Sequence, residues 1–574
     1  MNERTKTGLQ ILEVAAVIGV LGNVLLREGP WSLNAFLFVS AFSAATIMLM
    51  IRRRPELVTT QTLALLGAMV FFSSMMVWRA SIQLKMLDFV AIIAGMSVLI
   101  LQSVKVNPKI SGVFHYAAGF VWSSLNATLS GFVLLGSDID YKLLPQSGWS
   151  KHLISVLRGV LIAIPMILVF GALFVAADAA YEGMVQRVLN IAPETVFTHI
   201  LLTAVFAWLT AGYLRGLLVE KTIANAVAAT VVGEAKSELS KIDQIRAEEV
   251  SNPNALPDNR GVVEHINQEE SAEEKAKPDD TKKESRSWQE IGNTILPGSF
   301  TLGAIETGII LGLLDLLFLS FVIVQIPYLF GGMDLVQNTP DFKLAEYARR
   351  GFGELVAVAF LVLPVLLLSH WLLRKDNPLA EKIYRVFAGV QIVLLFVIMA
   401  SASQRLMLLT GNLGYGLTTD RLYPMIFMVW LGIVFVWFAL TVLRGARQYF
   451  AWGALWSAFF VLAGTHVLNP DEFVARHNIR LMQLGRDFDG PSNARLSDDA
   501  VPVLLEALPT MSMDDQCAVK SRLSDRLTHA RTENDLRTWN WSRRAALNAM
   551  EARSDIVTLE GCPGIVPWAE DIHD

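Results

Sequence analysis

Residues 304–325 read AIETGIILGLLDLLFLSFVIVQ, and this stretch decides the fold class. It holds two acids, Glu306 and Asp315, and no base in a run long enough to cross a bilayer as one helix, for which about 20 residues suffice. Working outward, similar stretches recur at about 9–26, 31–51, 61–78, 86–104, 159–177 and 196–218 before it, and at 353–373, 386–408, 424–443 and 449–467 after it. In lipid each must satisfy its own backbone, so helix is the state expected throughout. The composition agrees. Hydrophobic residues make up 53% of the 574 and charged residues 18%, where an ordinary soluble chain carries about 25% charged. The expected fold class is all-α: a polytopic helical membrane protein of about eleven transmembrane helices with a small helical C-terminal soluble region. The first span retains Glu13 and lacks a small-residue cleavage site, so it reads as a retained helix.

The chain divides accordingly. Residues 1–110 form a four-helix membrane region, 111–153 an interfacial or partly buried segment, and 154–220 two further spans. Residues 221–297 form a charged, largely disordered cytoplasmic linker, since 234–290 holds too little apolar surface to offset the entropy of ordering. Five spans follow over 298–468, and 469–574 is a helical tail. Segment 111–135 (SGVFHYAAGFVWSSLNATLSGFVLL) mixes His115, Ser123, Ser124, Asn126 and Thr128 with apolar residues. That suits a helix at the interface or inside the bundle better than a full crossing.

Orientation follows from Lys and Arg near the span ends. One side gathers Arg52, Arg53, Arg54, Lys105, Lys109, Arg374, Lys375, Arg444 and Arg447; the other keeps fewer, among them Arg27, Arg79, Lys85 and Arg187. The N-terminus and linker are therefore expected inside, and an odd number of crossings puts the tail outside. A full crossing by 111–135 would break that parity. The tail opens NPDEFVARHNIRL, with Asn469 as a cap and Pro470 at a first helical position. Further helices are expected near 499–508, 514–529 and 538–553. If the tail is outside, Cys517 and Cys562 lie in an oxidising compartment and can bridge; two unrelated thiols are the plainer reading.

Ionisable residues inside spans are expensive and merit individual weighing. Asp315 is near the middle of its span, and nine residues from Glu306 it falls on the opposite face of that helix, so the two cannot form one carboxylate pair. Asp178 closes the span at 159–177; Asp88, His370 and Arg405 lie near span ends. These acids read either as an internal polar site or as buried helix–helix hydrogen bonds. Segment 346–355 (EYARRGFGEL) sets Glu346, Arg350 and Glu354 at four-residue steps with Arg349 beside them, an ion-pair stripe or, with Arg421, an anion site. Metal-ligand spacing is absent among the nine histidines, and no cofactor motif, phosphate loop, GxSxG or HExxH occurs. No basic run with interleaved aromatics suggests nucleic acid.

The pattern ETGIILGLLDLLF, YLFGG, AEYARRGFGELVAVA, GYGLTTDRLYP, NPDEFVARHNIRL and LSDDAVPVLL resembles the bacterial membrane-protein family of domain of unknown function 4173, over about 154–218 and 300–510. The resemblance implies a bacterial cytoplasmic membrane; that family has no assigned activity, so it transfers no catalytic role to any residue. Three readings of function stand. The first is a sensor, scaffold or assembly factor of the cell envelope, meeting envelope proteins through 221–297 or 469–574. The others are a transporter or channel-like protein using Asp315 and Glu306, and a membrane enzyme on an envelope or lipid-linked substrate. The lipid bilayer is the one partner that all three share.

Overall fold

Long runs of apolar residues have a single way to pair their amides away from water, and the computed structural model shows it. It describes residues 3–27, 29–139, 193–219, 302–330, 344–373, 378–407, 410, 416–532, 535–555, 557 and 562. The N-terminal half contains α1 (Glu3–Leu26), α2 (Leu33–Arg53), α3 (Thr60–Trp78), α4 (Ile82–Leu99), α5 (Val113–Val133) and α6 (Pro193–Leu218). The C-terminal half contains α7 (Ala304–Phe330), α8 (Leu344–Leu372), α9 (Pro378–Met407), α10 (Thr419–Thr441) and α11 (Phe450–Leu468). Among the described residues, eleven helical stretches are long and apolar enough to cross a membrane. The chain is a multi-pass membrane protein. The expected span at 159–177 and the linker at 234–290 lie outside the described residues.

Each half has its own core. Ile11, Phe42, Leu65, Phe72 and Leu217 anchor the first, and Leu311, Ala359, Tyr384, Leu395 and Phe435 the second. Outside these cores the helices remain apolar: Leu313, Leu316 and Leu317 of α7 are each 62% exposed. Water would not tolerate so wide an apolar surface, whereas hydrocarbon does. Small residues let the helices approach closely. A Cβ on Gly19 of α1 would stand 2.7 Å from the Ala207 Cβ of α6, and one on Gly119 of α5 would stand 2.5 Å from the Ser97 carbonyl oxygen of α4.

Side-chain bonds identify the two ends of the bundle. At the proximal end, where α1 starts, Arg53 reaches Glu3 at 3.0 Å and Thr62 donates to Gln102 at 2.7 Å. At the distal end, Asn23 and Arg27 of α1 meet His199 of α6.

Helix α5 is long and apolar enough to span once its terminal π turn, Leu134–Asp138, is included. Yet both of its ends meet the proximal end. Phe114 stacks on Trp371 at the end of α8, with ring centroids 6.4 Å apart. At the other end, Asp138 accepts from Arg4 at the start of α1 and from Arg215 near the end of α6.

The tail is a compact helical unit on the distal end: α12 (Pro470–Gln483), α13 (Gly490–Ala494), α14 (Val501–Ala507), α15 (Met513–Thr532) and α16 (Trp541–Ala552). Val474, Ala475, Ala500, Leu504, Val519 and Ala546 form its core, which also takes in Leu417 and Leu422 at the start of α10. Cys517 and Cys562 form a disulfide, with Cα atoms 5.5 Å apart.

Candidate functional site

A dense buried polar cluster lies where the tail meets the bundle. It is built around the short connection Arg79–Ala80–Ser81 between α3 and α4. A tight turn between two spans leaves backbone amides without helical partners. Here Asp499 of the tail takes them: its Oδ2 accepts from Ala80 N at 2.8 Å and Ser81 N at 3.1 Å, and Ser497 Oγ lies 3.0 Å from the same oxygen. Its Oδ1 faces Arg79 at 3.4 Å and Ser542 Oγ at 2.5 Å. Asp499 is 5% exposed. A carboxylate so placed is tolerable because charge and lone pairs are both answered.

Asn540 completes the seam. As the cap of α16 it accepts from Arg543 N at 3.0 Å, and its amide donates to the carbonyls of Met76 at 3.0 Å and Arg79 at 2.9 Å, the exposed C-terminal end of α3. The Ser542 hydroxyl also lies 2.8 Å from the Trp78 carbonyl, so its single proton serves that oxygen or Asp499. The Arg79 guanidinium donates to the His466 carbonyl at 2.9 Å and rests 4.2 Å over the Trp78 ring. One face of α3–α4, the end of α11 and the tail are thereby locked together.

Asp88 and His466 form a second, fully buried pair at 2.8 Å between α4 and α11. Asp88 Oδ2 and His466 Nδ1 are buried with no partner among the described residues. In the tail, Ser497 also bonds Asp471. Burial pushes the Asp471 carboxyl above the usual carboxylate value; the Ser497 hydroxyl opposes this, and neighbouring Asp499 adds to it. At the rim, Gly29 has φ +79°, and a Cβ there would stand 2.4 Å from Thr538 Cγ2, so both the backbone and the tail require glycine.

The residues singled out by sequence are dispersed. Glu306 is exposed at the proximal end, while Asp315 is 7% exposed with neither carboxylate oxygen partnered among the described residues. Arg421 donates to the Gly416 carbonyl at 2.6 Å. Glu346, Arg349, Arg350 and Glu354 fall on α8, and their side chains lie outside the described residues, as does Asp178 altogether. Sequence reading missed Asp499, Asn540 and Ser542 as a group. Asn540 carried a usable signal, since a cap residue before the apolar periodicity of 541–552 marks a helix start. Asp499 carried none, because the backbone amides that it holds lie more than 400 residues away.

Among the described residues no group of three or more His, Cys, Asp or Glu could hold a metal. No curated protein and no solved structure matches the chain. Residues 62–235 and 269–507 match the family model described as Domain of unknown function (DUF4153). This corrects the resemblance to domain of unknown function 4173. The motifs behind it are short, and the spans around them draw on the same few apolar residues, so they do not separate one such family from another. The match also takes in α4 and α5, which that resemblance left out. With well over half of its length inside the two matched stretches, the chain belongs to the DUF4153 family.

Proposed function

We propose that the protein is a sensor or scaffold of the bacterial cell envelope, whose extracytoplasmic tail is held as a fixed platform on the membrane bundle. The observation that carries this reading is the Asp499 seam. A flexible appendage would not need a carboxylate held by two backbone amides of a membrane hairpin and by Ser542 from a different tail helix. Because the seam joins α3–α4, α11 and α16, a shift among the spans changes the geometry offered by the tail, and a partner on the tail in turn biases the spans. The inside assignment of the N-terminus rests on Arg52, Arg53, Arg54, Lys105 and Lys109, all near proximal helix ends. We read α5 as a helix held within the proximal half of the bundle without crossing it, on the strength of its two proximal attachments.

The test is site-specific photocrosslinking in intact cells from exposed tail positions such as Asp514 and Leu536. The scaffold reading predicts a discrete envelope protein crosslinked to the wild-type tail and lost in Asp499→Ala. Crosslinks to lipid alone, or a partner unaffected by Asp499→Ala, would remove its support. A transporter remains the second reading because Asp315 is a buried acid in mid-span. It requires solute flux in proteoliposomes that Asp315→Asn abolishes.

A further inference from the structure

A cavity of about 480 Å³ lies between α2, α4, α5 and α6, within the size range of about 300–1,000 Å³ typical of small-molecule sites. It runs from Leu26 and Trp31 near the distal end to Phe120, Ser123 and Ala127 of α5. Because α5 is attached at the proximal end at both of its own ends, it closes the cavity on that side. The walls are almost wholly hydrocarbon and aromatic, with Phe38, Phe42, Met96 and Phe206 among them.

The α4 wall is built from Phe89, Ile92, Ile93 and Met96. Stepping back one helical turn from Phe89 on the same stripe reaches Lys85. Its side chain is among the most buried cations of the bundle, with the residue 6% exposed. The ammonium donates to Ser32 Oγ at 3.3 Å, and no carboxylate comes within 4.0 Å of it among the described residues. Three acids act on it, and each is already engaged: Asp88 by His466, Asp499 by Arg79 and the α3–α4 amides, and Asp498 by Arg526 and Arg543. Arg543 adds a like charge nearby. Ser32 adjoins Trp31, whose ring lies 5.4 Å from that of Phe89, and both rings line the cavity. Neither Lys85 nor Ser32 is itself a wall residue; each lies within a helical turn of one, so a buried ammonium with a hydroxyl for company lies just beyond the distal end of a hydrocarbon-lined hole.

We propose that this cavity binds the hydrocarbon chain of an anionic amphiphile whose carboxylate or phosphate is received by Lys85 and Ser32. Such a ligand satisfies two needs at once: apolar walls filled by methylenes, and a counter-charge for the lysine. A neutral chain would answer the first need and leave the second unmet. Depth and polarity agree on direction, with the head distal and the chain tip toward α5. The inference is independent of the scaffold reading, since occupancy is measurable whatever the tail contacts.

The experiment uses the full chain in phosphatidylcholine nanodiscs with photoactivatable palmitic acid, phosphatidylglycerol carrying the same label, or labelled hexadecanol, and mapping of labelled residues by mass spectrometry. Labelling by an anionic probe concentrated on 89–96 and 120–127 is expected. In Lys85→Gln it should drop roughly tenfold, the scale of one lost charge-assisted hydrogen bond, and in Lys85→Arg it should largely remain. Palmitate labelling without phosphatidylglycerol would identify a free carboxylate ligand, and the reverse a phospholipid. Ala35→Trp, which fills the cavity from α2, should suppress the label while the tail's protease resistance reports an intact fold. Labelling spread evenly over lipid-facing positions such as Leu313 and Leu317 would overturn the proposal. So would hexadecanol labelling equal to that of both anionic probes and unchanged in Lys85→Gln.

Discussion

Asp499 carries much of the junction, because its removal strands two backbone amides and takes the counter-charge from Arg79 at once. Breaking a buried pair on one side costs about 3–5 kcal/mol. Asp499→Ala should therefore release the tail, read as rapid protease cleavage after residue 469 in an otherwise folded bundle. Asp499→Asn keeps an acceptor for the amides and should be milder. Equal protease resistance in wild type and Asp499→Ala would contradict the seam. Gly29 makes a parallel case at the rim. Gly29→Ala forces a side chain into left-handed backbone at about 1–2 kcal/mol and drives it against Thr538 Cγ2. The second cost, unlike the first, should be relieved by Thr538→Ser, so the double variant should melt above Gly29→Ala alone. Additive losses would count against the contact.

Asp471 gives the junction a sign in pH. Its folded value is raised by burial, so the folded state holds that proton more tightly than the unfolded chain does. The stabilising contribution is fully present below the unfolded value of 3.8 and is lost as pH rises through the folded value above it. Tail melting followed upward from about pH 4 should show this loss in the wild type and a flatter profile in Asp471→Asn. Parallel profiles would assign the pH dependence elsewhere.

Among the elements, α5 shows where periodicity stops being informative. Its hydropathy suffices for a crossing, and its polar residues Ser123, Asn126 and Ser130 argue for burial. Neither property says where a helix ends. That is decided by Asp138, which Arg4 and Arg215 hold from helices that are remote in sequence. Asp138→Ala should leave Arg215 buried and unpaired, and raise hydrogen exchange across 130–138 and the first turns of α1 well above the change in α9. Exchange confined to Asp138's own neighbours would mean that α5 is held by other contacts. Among the described residues the other spans are legible in the sequence, because lipid imposes one backbone solution and α7 or α10 need only length and apolarity to reveal themselves. In the tail, Pro470 and the acids after it do mark the start of α12. The sequence reading starts α16 at 538, three residues before Trp541, because Asn540 is a cap facing α3 and not a helical residue.

At the scale of the whole molecule, local rules read the bundle well and its junctions poorly. The Asp88–His466 pair links residues 378 apart and the Arg79–Asp499 pair residues 420 apart, and no spacing rule reaches across such distances. The acids that sequence reading emphasised, Glu306 and Asp315, share a helix and do not meet. The architecture nevertheless makes one demand on the cell. The start of α1 and the tail occupy opposite ends of the bundle, and the proposed topology puts them on opposite sides of the membrane. Epitope tags before residue 3 and after residue 574 would be probed with protease in sealed cells and in inside-out vesicles. Cleavage of the C-terminal tag from outside only, and of the N-terminal tag from inside only, is the predicted result; both tags cleaved from the same side would contradict the account.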